Sequence, residues 1–200
     1  MLDEPFRARF ASVSRPTAEW LTRVGVTANQ LTVAAGALGV AAAVLVAIGH
    51  SYLAMAVWLT GRLADGLDGA VARASTTTSP FGAFLDITLD MTAYVAMVLG
   101  FAVAYPDSSH AWPWIVSGYV LVITSTLALS DAAHRDQQQV SSTDRTFQFT
   151  PGLVEAGETN VMYVLWALFP EHLPWLTWVW AAALFVTTAQ RVRLASRLLR

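Results

Sequence analysis

Four aspartates, Asp65, Asp68, Asp86 and Asp90, fall within 26 residues of a chain that is otherwise poor in charge. Their spacing is i, i+3 for the first pair and i, i+4 for the second, so on helices each pair shares one face. A cluster of four carboxylates cannot stay ionised without cations. Oxygen ligands alone, in a chain without cysteine and with no histidine nearby, favour Mg²⁺ or Mn²⁺ over zinc or copper, and four acids can hold two such ions. Arg73, one turn beyond Gly69, is placed to contact a phosphate whose other oxygens the metals bridge. Gly61, Gly66, Gly69, Ala70, Ala72, Gly82 and Ala83 keep the neighbouring helix faces small, which allows close backbone packing or leaves room for a ligand. Carboxylates, divalent metal and arginine together are the components of phosphoryl-type transfer. Taken singly, the small residues also suit ordinary helix packing, and Arg73 suits a topology anchor.

The elements that must position these acids follow from hydropathy. Of 200 residues, 55% are apolar and 13% charged, and the mean hydropathy is +0.48. A soluble globule cannot keep so much apolar surface from water, so the chain reads as an all-α integral membrane protein; disorder and a disulfide scaffold are excluded. Eight tryptophans suit interfacial belts. Six apolar spans are expected: about Leu31 to Ile48, Tyr52 to Ala74, Phe81 to Ala104, Trp112 to Leu129, Gly152 to Phe169 and Leu176 to Val192. Asp131 to Thr150 reads as a polar loop. Ser79 and Pro80 read as the N-cap and first position of the third span. With the hairpin tip near Thr77, Asp68 lies nine residues before it and Asp86 nine after, with Asp65 and Asp90 at twelve and thirteen. As antiparallel neighbours the two helices would bring all four acids to one depth, roughly 13–20 Å of helix from the tip.

No secretory signal is evident, because Asp3, Glu4, Arg7, Arg9, Arg15, Glu19 and Arg23 interrupt the first 25 residues. Within residues 2–25, Phe6, Phe10, Val13, Trp20, Leu21 and Val24 recur at mostly helical spacing, which predicts an amphipathic interfacial helix bent or interrupted near Pro16. The twelve cations are all arginine. With six spans, eleven of them fall on the side of both termini, and Arg62 alone remains in mid-span, three residues before Asp65 and able to pair with it. By the positive-inside rule the arginine-rich side is cytoplasmic, and the membrane expected is a prokaryotic cytoplasmic membrane. The whole chain, 1–200, reads as a single domain with a six-helix bundle over 28–194.

Residues 65–90 read D-G-L-D-G-A-V-A-R, then eight residues, then G-A-F-L-D-I-T-L-D. This resembles the signature of the CDP-alcohol phosphotransferase family, D-x2-D-G-x2-A-R-x8-G-x3-D-x3-D, at every fixed position. The motif covers about an eighth of the chain, and six spans with an interfacial N-terminal helix also fit the family. Asn29 and Thr32, in T-A-N-Q-L-T, resemble a secondary family element usually written P-N-x-x-T, with Ala28 where proline is common. A helix cap is the alternative for Asn29.

The resemblance implies an integral membrane transferase of phospholipid synthesis. A CDP-linked lipid, commonly CDP-diacylglycerol, would donate its phosphatidyl group to the hydroxyl of a small alcohol, with release of CMP. It implies that Asp65, Asp68 and Asp86 ligate the metals, and that Asp90 approaches them and acts as general base. Gly69, Ala72, Arg73 and Gly82, with Asn29 and Thr32, would line the nucleotide and diphosphate site. It also implies a homodimer, with lipid but no nucleic acid among the partners. Some members instead transfer a phospho-headgroup to diacylglycerol. For the acceptor, Arg135, Arg145, Arg191 and Arg193 are candidates for a phosphate, or are topology anchors. Glu158, with Glu155, suits a cationic or neutral acceptor, or caps a helix end. The rival of a different class is a divalent-cation or proton-coupled transporter using the same acids; it leaves Arg73, the glycines and the eight-residue spacer unexplained.

Overall fold

A computed structural model describes residues 14–75, 79–108, 110–139 and 153–199. Among these, every regular element is helical: α1 (14–23), α2 (Ala28–Ala47), α3 (Ser51–Ala74), α4 (Pro80–Ala104), α5 (Trp112–Gln139), α6 (Ala156–Leu168) and α7 (Leu173–Leu198), with single 3₁₀ turns at Pro106–Ser108 and Pro170–His172. Among the described residues, three helices have the length and apolarity to cross a membrane, α2, α4 and the stretch Trp112–Ala132 of α5.

The helix ends are written locally. Thr27 caps α2 in a reciprocal box with Gln30: the Gln30 N–H donates to Thr27 Oγ1 at 3.3 Å and the Thr27 N–H to Gln30 Oε1 at 2.9 Å. Ser79 caps α4 by accepting the Gly82 N–H at 3.0 Å, and Pro80 opens the helix, as the sequence predicts. Gly25 (φ +84°) and Gly49 (φ +87°) end α1 and α2 in the left-handed conformation; the N–H groups of Val26 and His50 then reach back to the carbonyls of Leu21 and Leu45.

Three expectations change. The stretch from Asp131 onward is not a loop throughout, since α5 runs on to Gln139; alanine, arginine and glutamine are good helix formers and carry the helix past its apolar part. The fifth apolar stretch forms its helix over 13 residues, Ala156–Leu168, about 20 Å long, with residues 153–155 ahead of it non-helical. In α1, Ser14 and Ala18 are buried and Leu21 packs against the cluster of Ala18, Ala70 and Val71, while Trp20 and, just past its end, Val24 are exposed. Phe6, Phe10 and Val13 lie outside the described residues, as does the start of the 2–25 helix. Pro16 falls in the first described turn of α1 and does not interrupt it.

The chain forms two compact units. The first comprises the chain up to Asp107 together with Tyr163–Pro170. Here α2 packs against both α3 and α4, more extensively than those two pack on each other. Glycine permits it: a Cβ at Gly61 of α3 would lie 3.2 Å from the Ala35 carbonyl oxygen, and one at Gly39 of α2 would lie 2.5 Å from Ala93 Cβ on α4. The sequence expects α3 and α4 as neighbours; their side chains do meet, as between Arg62 and Asp90, while α2 packs closely on both and is their common support. Behind it, Trp58, Tyr163, Phe101 and Trp166 are fully buried, with Trp58 edge-on to Tyr163 at 5.2 Å and Phe101 edge-on to Trp166 at 5.4 Å.

The second unit comprises Ser108–Met162 and Glu171–Arg200. Gly118 of α5 admits Leu184 of α7, whose Cβ lies 2.8 Å from where a glycine Cβ would stand. Trp180 donates its indole N–H to the Tyr119 hydroxyl at 3.1 Å. The buried Thr187 hydroxyl accepts the Val154 N–H at 3.0 Å.

Candidate active site

In the first unit the polar groups of α2, α3 and α4 converge. One carboxylate oxygen from each of Asp65, Asp68 and Asp86 lies within 4.8 Å of the other two. Asp68 is buried, and Asp65 and Asp86 are partly so. Thr32, buried on α2, approaches Asp68 Oδ2 at 2.6 Å and the Ala28 carbonyl at 3.0 Å. A hydroxyl has one proton, and the shorter contact to the charged acceptor is where it is held. Thr32 thereby fixes the orientation of Asp68.

Asp90 is not a member of this trio and has a partner of its own. Its Oδ1 accepts from Arg62 Nη1 at 2.6 Å, while Asp65 Oδ2 stands 3.7 Å from the same nitrogen. The mid-helix arginine therefore pairs chiefly across helices and only secondarily with its i+3 neighbour. Its guanidinium carbon lies 4.9 Å from the Trp58 ring centre and 5.4 Å from that of Tyr94, so aromatic faces share in stabilising the cation.

Beside the trio lies an open cleft of about 160 Å³, lined by Asn29, Thr32, Asp68, Gly69, Ala72, Ser79, Gly82 and Asp86, among others. Because Thr27 caps α2, Asn29 is not that helix's cap. Its Oδ1 lies 3.0 Å from the place a Cβ on Gly82 would occupy. Arg73 is exposed, and its Nη1 lies 3.3 Å from where a Gly69 Cβ would be. Both signature glycines thus leave open the space in front of a polar side chain.

The remaining expected positions belong to the second unit. Glu158 accepts the Glu155 N–H at 3.1 Å, a capping interaction at the start of α6. Arg191 donates to the Val122 carbonyl at 2.7 Å and to Thr126 Oγ1 on α5. Arg145 lies outside the described residues, as does the Arg135 side chain. Sequence reasoning paired Arg62 with Asp65 alone and missed its stronger bond to Asp90. The available signal was the cost of an arginine in mid-helix, the same cost that draws attention to the aspartates.

An all-oxygen group of three carboxylates at this separation fits a hard divalent cation such as Mg²⁺ or Mn²⁺. A chain-wide likeness accompanies this geometry. The chain is 34% identical to inner membrane protein YnjF of Escherichia coli over 96% of its own length and 94% of that protein's. It is 32% identical to phosphatidylinositol phosphate synthase of Mycobacteroides abscessus over 93% of this chain and 84% of the relative. Among solved structures, the phosphatidylinositol phosphate synthase of Mycobacterium tuberculosis, in complex with manganese and citrate, superposes with a TM-score of 0.66 at 25% identity, covering 91% of this chain and 88% of that one. The same enzyme with CDP-DAG bound gives 0.65 at 24% identity, over 92% and 94% of the two chains. The family model for CDP-alcohol phosphatidyltransferase matches residues 25–189, so this membrane protein belongs to the CDP-alcohol phosphatidyltransferase family.

Proposed function

We propose that this chain transfers the phosphatidyl group of CDP-diacylglycerol to the hydroxyl of a small alcohol and releases CMP. The observation that carries the reading is the meeting of Asp65, Asp68 and Asp86 oxygens within 4.8 Å of one another, beside a cleft framed by Asn29, Gly69 and Gly82. Mg²⁺ or Mn²⁺ held by these three carboxylates would supply charge neutralisation to the diphosphate. Arg73 adds a phosphate contact at the cleft mouth, Asn29, Ala72 and Gly82 bound the nucleotide side, and Thr32 keeps Asp68 oriented.

Asp90 is the general base, and its contact with Arg62 occupies one of its two oxygens. The acceptor hydroxyl gives its proton to Asp90 while its oxygen forms a bond to the phosphorus bearing the lipid. The phosphoanhydride bond breaks and its electron pair leaves with CMP. Phosphatidylinositol phosphate synthases among the relatives favour testing a phosphorylated polyol first.

Around this site we read one membrane domain of six spans with an interfacial N-terminal helix. Its active site and termini face the cytoplasm, and it works as a homodimer. Arg135, Arg145 and Arg191 remain candidates for acceptor binding. Glu158 remains a candidate as well, and its contact with Glu155 supports the alternative of capping α6.

The test is to reconstitute the protein in lipid with labelled CDP-diacylglycerol, Mn²⁺ and a panel of alcohols including inositol phosphate, glycerol phosphate and serine. A labelled phospholipid formed with one alcohol supports the reading. Mn²⁺ flux across the vesicle wall with no lipid product would replace it with a transporter.

A further inference from the structure

The feature that the proposed chemistry leaves unused is the mid-helix arginine of α3. Arg62 has only 9% of its side chain exposed, yet its bond to Asp90 uses one nitrogen, Nη1. Its Nε and Nη2 are buried with no hydrogen-bond partner. A guanidinium built for stability would present its fork to a carboxylate and make two parallel bonds. Here a single nitrogen makes the contact, and the guanidinium carbon lies 4.9 and 5.4 Å from the ring centres of Trp58 and Tyr94. Buried ion pairs of incomplete geometry rarely add net stability, because desolvation offsets the attraction. The arrangement does something else well. It ties down Asp90 Oδ1 with a short charge-assisted bond, and Asp90 is not one of the three acids whose oxygens gather within 4.8 Å of one another.

Building on the proposed reaction, we propose that Arg62 is the positioning residue for the base. It holds Asp90 with one oxygen fixed and directs the other to the acceptor hydroxyl, reserving this carboxylate for proton transfer while the other three serve the ion. Trp58 and Tyr94, in turn, keep the guanidinium in place.

The experiment compares wild type, Arg62→Gln, Arg62→Lys, Asp90→Asn and the Arg62→Gln/Asp90→Asn double variant in lipid nanodiscs. Steady-state CMP release from CDP-diacylglycerol is measured together with Mn²⁺ affinity by electron paramagnetic resonance in the absence of substrates. Arg62→Gln is expected to lower kcat about 100-fold, with the donor KM and Mn²⁺ affinity within about threefold of wild type. Arg62→Lys, which keeps the charge, recovers at least about tenfold of that loss, and the double variant is no slower than Asp90→Asn. A rate within threefold of wild type in Arg62→Gln would overturn the proposal, as would a parallel loss of Mn²⁺ affinity, or a double variant showing the full loss of each single change. Should Arg62→Gln fail to fold, Arg62→Lys decides: intact Mn²⁺ binding with reduced kcat supports positioning, and wild-type kcat reduces the arginine to a buried counter-charge. Absence of CMP release from the wild type would instead remove the underlying reaction, and this proposal with it.

Discussion

The two units bury the same kinds of polar side chain and use them differently. Each has a buried threonine and a partly enclosed arginine on glycine-packed helices. In the second unit Thr187 serves the Val154 N–H, and Arg191 serves the Val122 carbonyl and Thr126, so these bonds satisfy backbone and close a helix pair. In the first unit Thr32 serves Asp68 and Arg62 serves Asp90, so polar side chains orient other charged side chains. A polar group that completes backbone hydrogen bonding stabilises a fold. A polar group that orients a carboxylate toward an open cleft prepares chemistry, and costs stability to keep there.

Substitutions can break or sharpen this contrast. The largest effect is expected from Asp86→Asn, which removes one member of the oxygen trio: CMP release should fall by about a thousandfold, and Mn²⁺ affinity should fall with it. Thr32→Val should weaken Mn²⁺ binding by about 10- to 100-fold through loss of Asp68 orientation, as read in a metal titration. Gly82→Ala places a Cβ 3.0 Å from Asn29 Oδ1 and 3.2 Å from Ser79 Oγ; the donor KM should rise about tenfold with a smaller change in kcat. The smallest effect is expected from the partner of Thr32 in this comparison. Thr187→Val should lower stability by about 1–2 kcal/mol in denaturant or thermal unfolding and leave Mn²⁺ affinity and CMP release unchanged. Equal loss of Mn²⁺ affinity in Thr32→Val and Thr187→Val would erase the distinction between the units.

What could be read from the chain followed the strength of its local signals. The ends of α3 and α4 were legible because Ser79 and Pro80 write a helix start, and the grouping of the aspartates was legible because i, i+3 and i, i+4 spacing fixes a face. The role of α2 as the common support was not, since it depends on which glycine meets which side chain across helices. The partition of the acids was hidden for the same reason. Arg62 and Asp90 are 28 residues apart, and nothing in helical spacing distinguishes that pairing from the i+3 contact with Asp65. The continuation of α5 beyond its apolar stretch shows the opposite limit: hydropathy marks where a helix leaves an apolar environment, whereas residue propensity decides where it ends.

The central claim is a division of labour within the acidic cluster, three carboxylates for the ion and Asp90 for the proton. It is tested most directly by measuring CMP release and Mn²⁺ affinity side by side in wild type and Asp90→Asn, with CDP-diacylglycerol and the accepted alcohol present. The account predicts that Asp90→Asn retains Mn²⁺ and donor binding while CMP release falls by about 10²- to 10⁴-fold. Unchanged CMP release in Asp90→Asn, or a loss of Mn²⁺ binding as deep as that in Asp86→Asn, would contradict it.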